Sequence, residues 1–143
     1  MAVVDGVLTY LNAQPDISTY LAANKVTPMR TIQGRSLPAI TVQTVAYRFV
    51  HHLAASSEIG EATVQVDIWD TSYSAARNGA DRVRAEMDGY TASAGAMGSD
   101  DVRRVILENE TDILESTADG SEVGTFRISQ DYTIWHKQTV PTF

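Results

Sequence analysis

The sequence predicts an α+β fold: a mixed, mostly antiparallel sheet of four to five strands, with an N-terminal helix and a central helix packed on one face and a projecting β-hairpin. Three features carry that prediction. From Glu61 to Asp70 the chain alternates, with Ala62, Val64, Val66 and Ile68 against Thr63, Gln65, Asp67 and Trp69, which is the period of a half-buried strand. Beyond the polar break Asp70-Thr71-Ser72, the residues Ala76, Gly79, Ala80, Val83 and Met87 recur at three- and four-residue spacing, the stripe of an amphipathic helix. Near the C-terminus Phe126, Ile128, Tyr132 and Ile134 alternate with Arg127, Ser129, Asp131, Thr133 and Trp135. A strand that runs into a helix able to cover it is a core nucleus, and the other strands then extend the sheet.

Taken in order, Val3, Val4, Val7, Leu8 and Leu11 share one helical stripe and predict a helix from about Ala2 to Ala13. Gln14-Pro15 ends it, because proline disfavours helical geometry in the residue before it. Asp16 is placed to cap a second short helix that turns Ile17, Tyr20 and Leu21 inward and stops at Asn24. Val26 to Arg35 has no sustained period and predicts loop, with a short strand around Met29 to Ile32. Pro38 to Val45 opens the first convincing strand, proline being tolerated at its first position. Its continuation to Leu53 sets Phe49, His51 and Leu53 against Arg48, Val50 and His52. A polar break from Ala54 to Gly60 turns it back, which predicts a long hairpin reaching beyond the core.

After the central helix Gly89 is a natural C-terminal cap. Thr91 to Ser99 is small, uncharged and without period, and predicts a mobile loop. Asp101 to Thr117 reads as two strands, or as one irregular strand with a bulge near Asn109. Asp119-Gly120 signals a turn into the last strand, and Gln138 to Phe143, with Pro141, reads as a tail. All 143 residues are read as one domain, with 137–143 its C-terminal tail.

The composition narrows the classes of function. The charge of −7 argues against a general affinity for nucleic acid, which needs a basic stripe to displace counterions. No apolar run approaches the roughly 20 residues of a membrane span. The start, Met1-Ala-Val-Val-Asp-Gly6, has neither a basic leader nor a signal-peptide core, so no export is expected. With no cysteine, disulfides, thiolate metal sites and cysteine nucleophiles are excluded.

No catalytic motif emerges. His51 and His52 are adjacent, and strand neighbours point to opposite faces, so they cannot share a metal ion without distortion. His136 has no spaced partner, Gly79 and Gly89 do not form a phosphate loop, and Ser56, Ser57 and Ser72 lack a nucleophile-elbow setting. No catalytic, cofactor-binding or metal-binding residue is assigned, and a binding or structural role is expected.

Trp69 and Trp135 carry more information, since both lie on the strand face opposite the aliphatic one. Each sits near a strand end, where twist or a bulge can turn it inward; alternatively the second sheet face is buried against another subunit, where tryptophan is a favoured anchor. The acid is also unevenly spread. Glu108, Glu110, Asp112, Glu115, Asp119 and Glu122 follow one another with no Lys or Arg between them. That stretch reads as a charged hairpin blunting a sheet edge, or as an acidic patch toward a basic partner or the lining of a pore.

The order of elements resembles the tail-completion or tail-terminator family of long-tailed phages and gene transfer agents. The resemblance rests on the N-terminal helix, the Pro38-Ala-Ile-Thr-Val42 strand start, a strand ending in Val66-Asp-Ile-Trp-Asp70, the helix start Ser72-Tyr-Ser-Ala-Ala76, and the final strand from Thr125 to Trp135. It implies a non-enzymatic virion component without cofactors, forming a six-membered ring on the head-proximal end of the tail tube. Such a ring ends tube polymerisation and joins the tail to the head connector.

The partners so implied are further copies of the chain, the tail tube protein and a head–tail connector or stopper protein, with DNA passing through the lumen without specific binding. The place so implied is the virion, after assembly in the host cytoplasm. The candidate contact residues are Trp69, Trp135, Phe49, His51, Leu53, Ile59, Val140 and Phe143, and the acids from Glu108 to Glu122 are candidates for the lumen or a basic partner. The hairpin between Tyr47 and Gly60, the Thr91 to Ser99 loop and the proline-bearing tail depart from the family's usual pattern. The rival readings are a head-completion or stopper protein, and a small α+β ligand-binding domain or enzyme with a pocket between helix and sheet.

Overall fold

The computed structural model describes residues 3–22, 25–28, 38–51, 56–91, 97, 102–115 and 125–137, with the backbone alone described at 50, 51, 56–58, 114, 115 and 125. Three helices and five strands follow one another: α1 (Val3–Asn12), α2 (Pro15–Leu21), β1 (Thr27–Pro28), β2 (Ala39–His51), β3 (Ser56–Asp70), α3 (Tyr73–Met87), β4 (Val102–Glu115) and β5 (Thr125–Lys137). The strands form one sheet in the order β1-β2-β3-β5-β4. The two-residue β1 is parallel to β2, and every other pair is antiparallel. The α+β class and the mostly antiparallel sheet are therefore as the sequence predicts.

The core lies on one face of this sheet. Ile40 and Val42 of β2, Ala62, Val64, Val66 and Ile68 of β3, and Ile128, Tyr132 and Ile134 of β5 are buried there, together with Ala76, Ala80, Val83 and Met87 of α3. Val3, Val7 and Leu11 of α1 and Ile17 and Leu21 of α2 join the same cluster. Burying each such aliphatic side chain contributes about 1.5–3 kcal/mol, so this single face accounts for most of the driving force to fold.

The helix boundaries have local causes. Ser72 caps α3 by accepting a hydrogen bond from the Ala75 amide at 3.2 Å, and Gly89 follows the C-cap Asp88 with φ +84, a left-handed geometry that glycine adopts without cost. The start of α2 differs from expectation. Gln14 is the N-cap and Pro15 occupies the first turn, where a missing N–H is harmless, so Asp16 lies inside the helix instead of capping it. Gly79 lies against the Tyr20 ring, which lets α2 and α3 approach closely.

Elsewhere the strands run longer and less regularly than the alternation suggests. Thr27–Pro28 is the short strand, whereas Met29 to Ile32 falls outside the described residues. Ser56 to Gly60, expected as a break, already belongs to β3. Asp101 to Thr117 resolves into the single strand β4, with register shifts between Val102 and Arg104 and between Leu107 and Asn109. Each shift sets one extra residue of β4 against its partner strand, as a bulge does. In the stretch expected as a loop after Gly89, Met97 is fully buried in the core. Asn24, the Asp119-Gly120 turn and the tail beyond Lys137 lie outside the described residues.

Candidate functional site

The second face of the sheet, opposite the helices, carries the polar half of the β3 and β5 alternations. A hydrogen-bonded ladder crosses its middle. Gln43 Nε2 donates to Gln65 Oε1 at 2.9 Å, and Gln65 Nε2 donates to Ser129 Oγ at 2.6 Å and to Asp67 Oδ1 at 3.1 Å. Arg127, which pairs with Trp69 across β3 and β5, sets its Nη2 3.3 Å from Asp67 Oδ2 and its Nε 3.3 Å from Oδ1. Its guanidinium lies 4.9 Å from the Trp69 ring centroid, a stacking worth about 0.5–2 kcal/mol depending on desolvation. The indole Nε1 of Trp69 reaches Thr41 Oγ1 at 3.4 Å.

Trp69 is thus half-buried and held from two sides. Trp135 is half-buried as well, but it pairs with Glu61 at the far end of β3. Eight residues of β5 separate the two tryptophans' levels, about 27 Å at the usual strand rise. They share one face without touching, at opposite ends of it.

The hairpin of β2 and β3 forms a second surface. A register shift between Thr44 and Ala46 leaves Val45 unpaired and exchanges the faces beyond it. Tyr47, opposite Ala62, and Phe49, opposite Gly60, therefore stand on the helix side of the sheet. They are 42% and 57% exposed, and Val45 is 56% exposed, three of the four large exposed apolar side chains among the described residues. Tyr47 stacks on Phe49 with centroids 6.3 Å apart and meets the ring of His136 edge-on at the same spacing. His136 is nearly buried, with Nδ1 3.3 Å from the Lys137 carbonyl oxygen.

The acidic stretch divides in two. The bulge at Glu108 places Glu110, opposite Gln130, and Asp112, opposite Ile128, on the helix side. There Arg77 of α3 bridges Glu110 at 2.6 Å, Asp81 at 3.0 Å and Asp112 at 3.7 Å. Burial lowers the Arg77 pKa, but the hydrogen bonds to Glu110 and Asp81 outweigh it and the net shift is upward. Gln130, fully buried, donates to the Ala80 carbonyl at 3.0 Å and to Glu110 Oε2 at 2.7 Å, and accepts from Tyr132 Oη at 2.8 Å. Glu108 itself is exposed.

Of the other predicted contact residues, Ile59 is half-buried opposite Lys137, and the backbones of His51 and Glu115 lie in strands. Leu53, Val140, Phe143, Asp119 and Glu122 lie outside the described residues. The contacts of Gln130, Arg77 and Arg127 and the exposure of Val45 and Tyr47 are not legible in the alternation alone. Gln130 had a signal, as the one polar residue in the apolar series from Phe126 to Ile134.

Among the described residues no three His, Asp or Glu side chains converge as a metal site, and no helix is long and apolar enough to cross a membrane. The described hollow lined by Asp81, Arg84, Ala85 and Asp88 is a shallow polar depression on α3. What the arrangement offers is contact surface: a tryptophan-flanked polar sheet face and an aromatic hairpin.

A family model described as Tail completion protein gp17 matches residues 5–137, which takes in every strand and nearly all of each helix. Among solved structures, a chain in one described as the virion of a native gene transfer agent particle shares the fold with a TM-score of 0.64. The likeness covers 96% of this chain and 99% of that one at 10% identity. No match was found among the curated proteins.

Proposed function

The chain belongs to the tail completion protein gp17 family, and from that premise we propose that it is a non-enzymatic structural protein of a virion tail. In this reading it is a tail terminator that forms a ring of six copies on the head-proximal end of the tail tube. The ring ends tube polymerisation and presents the surface to which the head–tail connector binds. Its partners are other copies of itself, the tail tube protein and the connector, and DNA passes through its lumen without specific binding.

The observation that carries this reading is the family match from residue 5 to 137, the whole of the described sheet and nearly all of its helices. The surfaces support it. A ring subunit needs two unlike patches that close by rotation. Here the tryptophan-flanked sheet face and the exposed Val45, Tyr47 and Phe49 are unlike in chemistry and lie apart on the sheet. Glu108, exposed on β4, is the described acid best placed to repel DNA phosphate or meet a basic partner.

The test is tube growth. Tail tube protein polymerising alone should give tubes of unlimited length, and adding this chain should stop growth with a ring visible at one end. Tubes that grow unchanged, with no copy of the chain at either end, would refute the reading. A chain found in the portal stack of the particle instead would make it a stopper.

A further inference from the structure

Among the described residues, the two rims of the sheet are each covered along only half of their length, and on opposite halves. On one rim β1 pairs with Thr41 and Val42 of β2. On the other, the Gly89 amide donates to the Val105 carbonyl at 2.9 Å, the Val105 amide donates to the Tyr90 carbonyl at 3.0 Å, and the Leu107 amide donates to Asp88 Oδ1 at 3.0 Å. Among the described residues no strand lies outside Gln43–His51 of β2 or outside Glu108–Glu115 of β4.

The register fixes how these open halves relate. Thr41 is level with Asp67, Ser129 and Thr111, so the covered end of β2 lies across from the open end of β4. Tyr47 is level with Ala62, Ile134 and Val105, so the open end of β2 lies across from the covered end of β4. The four long strands alternate in direction, and four is even. A neighbouring copy related by a rotation that keeps strand sense therefore brings its β2 antiparallel alongside β4.

We propose that a second copy of this chain adds the open half of its β2 to the open half of β4, so that the sheet runs on from subunit to subunit. The inference rests on the ring proposed above and specifies its joint. For the open halves to meet with matching faces, adjacent copies must be displaced along the strands from the level of Asp67 to that of Thr63, which sets Ala46 opposite Thr111. That is about 14 Å, while four strands span about 19 Å across. The strands then lean roughly 35° from the ring axis, within the tilt that closed barrels adopt.

The side chains suit the joint. Residues 43–51 carry no acid and include Arg48, which bridges Glu61 at 3.4 Å yet keeps its side chain 78% exposed. Residues 108–115 carry no base and, beyond the Glu110 and Asp112 that bridge Arg77, add Glu108 and Glu115. Exposed Val45, Tyr47 and Phe49 are what a strand edge avoids when it must stay unpaired in solution.

Because the chain has no cysteine, the joint can be read by cross-linking. Ala46 and Thr111 are both exposed and lie about 20 Å apart within one copy, too far for a short bismaleimide. Assembled on tail tubes, the double variant Ala46→Cys, Thr111→Cys should give a ladder of covalent oligomers that ends at the ring. A mixture of the two single variants should give dimers, and either single variant alone should give none. Hydrogen exchange of the unmodified chain should slow at residues 44–49 and 109–113 on assembly.

Rings seen by native mass spectrometry with neither cross-links nor slowed exchange would overturn this joint and leave the ring standing. Cross-links as strong from one single variant would mean a two-fold contact and overturn it too. Absence of any ring, with tubes unaffected, would remove both this inference and the reading beneath it.

Discussion

Gly79 faces the ring of Tyr20 so closely that a Cβ built at position 79 would lie 2.7 Å from the Tyr20 Oη. The same hydroxyl donates to Asp70 Oδ2 at 2.7 Å. A methyl at 79 must therefore displace a ring that is tied at its far end to the close of β3.

In an ordinary helix interior, Gly→Ala gains about 1 kcal/mol, but overpacking costs about 1–3 kcal/mol. Gly79→Ala should thus destabilise the protein by roughly 1 kcal/mol in urea unfolding. In a Tyr20→Ala background the obstacle is gone, and the same change should become stabilising. A substitution with one sign in both backgrounds would contradict the contact.

Gln130 is the polar centre of the core, and no apolar side chain can replace its partners. Gln130→Leu should cost about 2–4 kcal/mol, because it strips a hydrogen bond from Glu110 and from the Tyr132 hydroxyl in a buried setting. Chemical denaturation of the variant measures this. A loss below 0.5 kcal/mol would show that those groups find water.

Stability should fall in alkali. Burial first, with the carboxylates of Asp88 and Glu110 added, raises the Tyr132 phenol above its ordinary value of 10.0, and burial with Asp70 does the same for Tyr20. A group whose folded pKa is raised gives stability that is complete below the unfolded pKa and is lost as pH rises beyond it. The fall should begin near pH 10 and reach about 1.4 kcal/mol per pH unit for each such tyrosine. Tyr132→Phe should make the slope shallower by one proton's worth, which unfolding curves between pH 9 and 11 would resolve.

Trp69 and the exposed hairpin separate folding from assembly. Tyr47→Ser with Phe49→Ser should leave monomer stability within about 0.5 kcal/mol, since both rings are largely in solvent, and should weaken ring formation on tubes tenfold or more. Trp69→Ala should weaken assembly more than it weakens the monomer. Equal losses of assembly and stability would return Trp69 to a purely structural role.

The sequence displays the apolar face of β3, that of β5 and the stripe of α3 because each repeats at the period of its element without interruption. It hides what depends on a change of phase. Phe49 alternates visibly with Arg48, yet which side of the sheet it takes relative to Ile40 depends on the unpaired Val45, and nothing in the local composition marks that residue. The acidic stretch looks uniform because its partner, Arg77, stands on a helix far earlier in the chain. Both tryptophans were legible as misplaced aromatics. The guanidinium that covers one of them required the cross-strand register of β3 and β5.

The bulge at Glu108 means that β4 is written in two reading frames. Up to Leu107 the odd-numbered positions Val105 and Leu107 point to the helices, and from Glu110 onward the even-numbered ones do. Removing Glu108 itself would only erase the bulge and keep Leu107, Glu110 and Asp112 on the helix side. A single deletion at Thr111, by contrast, would leave every residue in a strand and still turn Ile113 toward the helices while expelling Asp112. Descendants of this chain can lengthen or shorten its loops one residue at a time. Within β4, outside its bulges, a deletion survives only when a compensating insertion restores the frame.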